Sequence, residues 1–250
     1  MSFLSNIFNK SSKKTTIAAE LALLKTDVHS HFIPGIDDGA QTLKDSLDLI
    51  TYFYNRGYKK VITTPHIMGD AYRNTPEIIL GGLEVVRNAL KENQIPIEIE
   101  AAAEYYIDYD FEEKIDKGNL LSFGKNYVLV ELSFVNPPDN LNNIFFKLQT
   151  SGYRPVLAHP ERYSFWHNDF EKYEEIIDKG VLLQLNINSL TGHYSIPTKR
   201  IAEQMIEKGM ISFLGSDCHH LGHTELIDKA VFEKSLHTLL ESGKLLNSTL

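Results

Sequence analysis

The chain has 250 residues, 42% apolar and 23% charged, with a formal net charge of −8 and one cysteine. This composition suits one large soluble α/β domain with a sizeable core, and a single cysteine excludes an internal disulfide. The acidic balance argues against a nucleic-acid surface, which needs a basic patch.

No stretch approaches the roughly 18 apolar residues that span a bilayer, so stable membrane insertion is not expected. The N-terminus is not a convincing signal peptide, because its basic residues follow the short apolar cluster "FLSNIF". Residues 1–25 are read as an N-terminal extension with a loosely docked tail, and 26–250 as the domain; the expected location is cytoplasmic.

Strands are expected at about 26–31 (TDVHSH), 59–66 (KKVITTPH), 96–105 (PIEIEAAAEY), 127–134 (YVLVELSF), 154–159 (RPVLAH), 181–188 (VLLQLNIN) and 211–217 (ISFLGSD). Helical patterns lie between them. "TLKDSLDLITYFYNRG" ends on a glycine stop, and "TPEIILGGLEVVRNALKEN" opens with a threonine cap and a first-turn proline. "LNNIFFKLQTSG", "DFEKYEEIIDKG", "IPTKRIAEQMIEKG" and "ELIDKAVFEKSLHTLLESG" follow the same grammar. Strands alternating with helices imply a parallel sheet. An open doubly wound sheet often carries a glycine-rich phosphate loop; neither GxGxxG nor GxxxxGK[ST] occurs, which favours a barrel with seven visible strands.

The chemistry-bearing residues collect where these strands end. His29 and His31 close the first, two apart and therefore on one side, with Asp37 and Asp38 in the turn-like segment that follows. His66 closes the second, Glu104 the third and His159 the fifth. Glu131 lies late in the fourth strand, Asn186 and Asn188 late in the sixth, and Asp217 and His219 end the seventh. In parallel α/β barrels the strand C-termini converge on one face, where active sites lie. Singly, each of these residues reads as structural; together they read as a multi-metal centre. Imidazole and carboxylate donors suit Mn, Fe or Zn, and Glu104, the one carboxylate at the end of its strand, is the natural bridge between two ions. Such pairs clamp phosphoryl transfer around an activated water. A cysteine phosphatase is excluded because Thr224 stands where its arginine would follow Cys218, and neither GxSxG nor HExxH is present.

In chain order, "DVHSH", Asp37, "TTPH", Glu104, "AHPERY" and "GSDCH" resemble the PHP (polymerase and histidinol phosphatase) superfamily. "HSHFIPGIDDGA", "AEYYID", "HPERY" and "QLNINSLTG" are similar to its CpsB/YwqE branch, the manganese-dependent bacterial protein-tyrosine phosphatases. The resemblance implies a distorted seven-stranded TIM-like barrel with three Mn2+ ions, Fe or Zn being alternatives, that hydrolyses phosphotyrosine. It implies as substrate the tail of a bacterial tyrosine kinase controlling capsular or exopolysaccharide synthesis. Carried over by position, it puts His29, His31, Glu104 and Asp217 on a first ion and Glu104 with His159 on a second, whose remaining ligand is open. It puts Asp37, His66 and His219 on the third. The chain departs from the branch at Cys218, where a small residue is common, and in "HHLGHTEL", which lacks an arginine that His220 or His223 could replace.

Arg162 in "HPER" is the expected phosphate clamp and a catalytic residue with Glu104 and Asp217, because guanidinium binds phosphate bidentately. Arg73 in "MGDAYRNTPE" is a second candidate for binding substrate, and Tyr72, Tyr105, Tyr106 and Tyr163 could flank an aromatic ring. His167, His193 and His237 are read as surface or structural. The alternatives are a phosphatase of a small phosphoester such as histidinol phosphate, a PHP-type nuclease, and an interaction protein stabilised by metal.

Overall fold

In the computed structural model, which describes residues 14–250, all the expected strand runs pair in parallel. One sheet is β1 (Thr26–Asp27), β2 (Lys60–Thr63) and β4 (Glu98–Ala101). The other runs in the order β3 (His66–Ile67), β5 (Glu104–Tyr106), β6 (Tyr127–Glu131), β7 (Arg154–Ala158), β8 (Leu182–Asn186) and β9 (Phe213–Gly215).

Two expected strands are thus divided. The run 59–66 breaks at Thr64–Pro65 and the run 96–105 at Ala102–Ala103. Pro65 has no N–H to give a ladder, yet the chains stay adjacent: Ala102 N donates to Thr63 O at 2.9 Å and Glu104 N to Pro65 O at 3.1 Å. Both alanines are fully buried, so their small side chains fit this close passage.

The two sheets meet at the strand ends. Ser30 and Cys218 form a parallel bridge, Asp217 N donates to His29 O at 2.7 Å, and His31 N donates to Cys218 O at 3.0 Å. Buried Asn247 ties the opposite ends: its Nδ2 donates to Thr26 O (2.9 Å) and Leu214 O (2.8 Å), and its Oδ1 accepts from Leu214 N (3.0 Å).

Among the described residues eight α-helices accompany the strands, and their starts follow local rules. Thr42 and Asp45 form a capping box on α1 (Leu43–Asn55), while Thr75 caps α2 (Pro76–Glu92) with Pro76 in its first turn. Then come α3 (Phe111–Lys117), α4 (Leu141–Thr150), α5 (Glu171–Asp178) and α6 (Ile196–Glu207), the last capped by Ser195. Their apolar faces, with Phe53 and Phe145, close over Val130, Leu157, Leu183 and Leu185 of the strands.

The last expected helix is two, α7 (Leu221–Ala230) and α8 (Lys234–Glu241). The N-terminal segment takes the backbone groups at the break: Thr15 N donates to Phe232 O at 2.8 Å and Ala19 N to Val231 O at 2.7 Å. Ala19, Leu21 and Leu24 then enter the main core, so this segment is docked on the fold. "FLSNIF" lies outside the described residues. Among the described residues no helix is long and apolar enough to cross a membrane.

Asn247→Ala would strand two buried carbonyls and one buried N–H. An unsatisfied buried group costs about 1–3 kcal/mol, so the urea midpoint should fall by the equivalent of about 3 kcal/mol. An unchanged midpoint would show that this tie does not hold the seam.

Candidate metal centre

The candidate ligands grow out of strand ends and the turns after them. His29 and His31 follow β1, His66 opens β3, Glu104 opens β5, Glu131 ends β6, His159 follows β7, and Asp217 and His219 follow β9. Two glycines let these segments approach. A Cβ on Gly39 would lie 2.3 Å from His31 Cβ, and one on Gly215 would lie 2.8 Å from His29 Cβ. His159 (φ 33°) and Asp217 (φ 48°) both adopt the left-handed region that non-glycine residues rarely occupy. Such strain costs about 1–3 kcal/mol per residue and gathers at functional sites.

Glu104 is the centre of the cluster and has no exposed surface. Its Oε2 lies 3.0 Å from His29 Nε2, 3.3 Å from His66 Nδ1 and 3.5 Å from His31 Nε2, and its Oε1 lies 3.2 Å from His159 Nε2. Asp217 Oδ1 faces His29 Nε2 at 3.4 Å, His31 Nε2 at 3.6 Å and His219 Nδ1 at 3.4 Å. Glu131 reaches His159 Nε2 at 3.5 Å and His66 Nδ1 at 3.8 Å. Asp38 Oδ1 stands 3.5 Å from both His66 Nε2 and His219 Nε2.

A second layer aims these groups. Gln184 Oε1 accepts from His29 Nδ1 at 2.8 Å, leaving Nε2 for the cluster. Asp37 Oδ2 accepts from His31 Nδ1 (2.8 Å) and His66 N (3.1 Å), and its Oδ1 accepts from Gly39 N (2.9 Å). Asp217 Oδ2 accepts from Arg162 Nη1 and from Asn186 Nδ2, each at 2.8 Å. Buried Glu161 in turn accepts from Asn186 N at 3.0 Å and Ser189 Oγ at 2.7 Å.

The electrostatics call for a cation. Burial would raise the Glu104 carboxyl, but the charges of His29 and His66 hold it well below the usual range. Burial, with the charges of Glu104 and Asp217, pushes the Glu131 carboxyl well up. Burial and then Arg162 push the His159 ring down to about 4, so it stays a neutral donor. His31 Nε2 and His66 Nδ1 are buried without a hydrogen-bond partner. Among the described residues four sets of side chains could each hold an ion: His31, Asp38, His66 and His219; His29, His31 and Glu104; His29, His159 and Asp217; and His66, Glu104 and Glu131. Orphaned imidazole nitrogens beside crowded carboxylates are the donor set of Mn, Fe or Zn, and the residues fit such ions.

Seven of the eight expected ligands are brought together: His29, His31, His66, Glu104, His159, Asp217 and His219. Asp37 is not among them, since its carboxylate is spent on His31 and two backbone N–H groups; its neighbour Asp38 faces the cluster instead. Glu131, seen as a strand-end carboxylate but given no role, joins His66 and Glu104 in one set and stands 3.5 Å from His159 Nε2. Arg162 lines the cavity over the cluster, about 620 Å³ in volume, with its guanidinium 4.7 Å from the Phe134 ring and 4.1 Å from the Tyr194 ring. Tyr72 and Tyr106 line the same cavity, whereas Tyr105 and Tyr163 are buried in the core. Arg73 lines a neighbouring cavity instead. The roles of Gln184 and Glu161 left no trace in the sequence beyond polar residues in an apolar strand and beside a ligand.

Glu161 gives a pH test. Burial pushes its carboxyl up to about 7 from an ordinary 4.5, against the bonds from Ser189 and Asn186. The folded state therefore favours its protonated form, a contribution complete below pH 4.5 and lost as pH rises to about 7. In chelator-treated protein, wild type should lose stability relative to Glu161→Gln across that window, by on the order of 3 kcal/mol at most. Urea titrations at pH 5 and pH 8 read the difference, and equal differences at both would refute it.

Comparison with known proteins adds an independent line. A family model described as capsular polysaccharide synthesis, CpsB/CapC, matches residues 25–227. The chain is 28% identical to tyrosine-protein phosphatase YwqE of Bacillus subtilis, over 88% of this chain and 90% of that one. It is 27% identical to tyrosine-protein phosphatase CpsB of Streptococcus pneumoniae, over 78% and 83%. A chain from the crystal structures of YwqE of Bacillus subtilis and CpsB of Streptococcus pneumoniae, described as unique metal-dependent tyrosine phosphatases, superposes with a TM-score of 0.78 over 88% of this chain and 90% of that one, at 28% identity. Histidinol phosphate phosphatase of Lactococcus lactis, solved with zinc, shares the fold alone, with a TM-score of 0.50 at 14% identity over 83% of this chain and 94% of that one.

Proposed function

Because the chain belongs to the CpsB/CapC family of capsular polysaccharide synthesis, we propose that it is a metal-dependent protein-tyrosine phosphatase. Its substrate is phosphotyrosine on a protein that controls capsular or exopolysaccharide synthesis, the tail of a bacterial tyrosine kinase, in the cytoplasm. The observation that carries this reading is the convergence of imidazoles and carboxylates on buried Glu104, with Arg162 on the wall of the cavity above.

Three Mn2+ ions suit the donor set. His29, His31, Glu104 and Asp217 would hold the first. Glu104, Glu131 and His159 would hold the second, and Asp38, His66 and His219 the third. The parallel bridge from Ser30 to Cys218 supports a barrel in which the two sheets close on each other around this centre. Bound metal supplies a water nucleophile at neutral pH and draws charge from the phosphoryl oxygens.

The remaining work falls to the chain's own groups. Asp217 Oδ2 and the Phe134 and Tyr194 rings fix the Arg162 guanidinium at one N–H and on its flanks. Its other N–H groups are left to take the oxygens of a phosphate monoester and the charge that grows on them. Tyr72, stacked on His66 at 5.4 Å, and Tyr106 form an aromatic rim against which a phenyl ring can lie.

Chelation should abolish turnover of a phosphotyrosyl peptide, and metal should restore it; full activity after complete metal removal would sink the metal reading. Glu104→Gln should lose metal and activity together, and Asp38→Asn part of the metal. Arg162→Ala should keep its metal while turnover falls on the order of 10²-fold, as for loss of one electrostatic donor, with Arg162→Lys recovering part. Elemental analysis beside peptide kinetics separates these cases. Loss of metal from Arg162→Ala would make it a support of Asp217. Turnover of histidinol phosphate or a phosphodiester in preference to the peptide would overturn the tyrosine assignment.

A further inference from the structure

Beside the metal cavity lies a second one of about 420 Å³, and the wall between them is a single short hairpin. Met68 and Tyr72 exchange backbone hydrogen bonds of 2.9 Å each, and both residues line both cavities. The wall is well anchored. Asn74 Nδ2 donates to Ile36 O (2.9 Å) and His66 O (2.8 Å), and Gly69 N donates to Asp108 Oδ2 (2.9 Å). Tyr72 turns its ring onto His66 on the metal side; Arg73, the next residue, lines the other side.

Two cations line this second cavity, Arg73 and Lys114. Arg73 Nε donates to Gly69 O at 2.8 Å, and among the described residues its guanidinium enters no ion pair. Lys114 Nζ reaches Asp108 Oδ1 only at 3.8 Å. The acidic groups nearby are Asp70 in the turn of the hairpin, Asp110 on the cavity wall, and Asp108, whose carboxylate already accepts from Gly69 N and Asp110 N. Tyr109, 77% exposed, adds an aromatic face at the mouth. Beside the metal cavity, these two cations thus keep N–H groups that no short ion pair occupies.

We propose that this cavity is a subsite for an acidic side chain flanking the phosphotyrosine of the substrate, held by Arg73 and Lys114. The inference rests on the phosphatase reading for what occupies the neighbouring cavity. A peptide whose phosphotyrosine enters beside Tyr72 passes over the hairpin, and a carboxylate on its near neighbour meets the two cations.

The test uses metal-loaded enzyme and phosphotyrosyl peptides that differ only at one flanking residue, Glu, Gln or Lys, placed on each side in turn. Both kcat/KM and, with a non-hydrolysable phosphonate in place of the phosphate, binding by fluorescence anisotropy are measured. The expected result is a preference for Glu over Gln of about threefold, the size of a partly exposed ion pair, with Lys weakest and the preference shrinking at high salt. In Lys114→Met and Arg73→Gln the Glu-to-Gln ratio should fall towards one, and because it is taken within each protein, a general loss of activity cancels. Equal values for Glu and Gln peptides in the wild type would overturn the subsite, as would a preference that survives in both variants. If no phosphotyrosyl peptide is turned over, the phosphatase reading falls; a Glu preference in binding would then still support the subsite, and none would end it.

Discussion

A carboxylate with no exposed surface, faced by four imidazoles, is the constraint around which this protein is built. Removing an ion from water costs several kcal/mol unless charge and hydrogen bonds replace the hydration. Around Glu104 the replacement comes in layers. His29 is aimed by Gln184, His31 by Asp37, and Asp217 by Arg162 and Asn186, while Glu161 holds the backbone of Asn186. Even so, crowded carboxylates and unpartnered imidazole nitrogens remain. A bound cation is what resolves that imbalance, which is why the fold and the chemistry are not separable here.

The backbone shares in this arrangement. His159 and Asp217 sit at positive φ, each where the chain leaves a strand and turns into the loop that carries the next functional group. Gln184 Oε1 accepts from His159 N as well as from His29 Nδ1, so one side chain steadies the strained turn and orients a ligand. Strain of this kind persists only where the surroundings over-determine it, and the seam of bonds from His29 to Cys218 supplies that frame.

The hairpin after His66 shows how one loop can serve two cavities. Asn74 pins its base to the carbonyl of His66, which ties the wall to a residue of the cluster. Carboxylates and imidazoles gather on one side of this wall, and Arg73 and Lys114 stand on the other.

Much of the site was legible in the sequence because the rules that place it are local. Period two puts His29 beside His31, and Asp217 beside His219; parallel strands bring their ends to one side; Thr42, Thr75 and Ser195 start helices through contacts three residues away. What only the tertiary structure decided are choices that depend on distant partners. Asp37 and Asp38 are adjacent and chemically identical, yet the backbone N–H of His66, far along the chain, claims Asp37 and leaves Asp38 to the metal side. One long helical pattern became α7 and α8 because residues 15–19 bond to the carbonyls at the break. Arg73 turned to a second cavity because Tyr72 took the face over His66. Periodicity and capping are settled within a few residues, whereas the competition of two like groups for one place is settled by whichever remote segment packs against them.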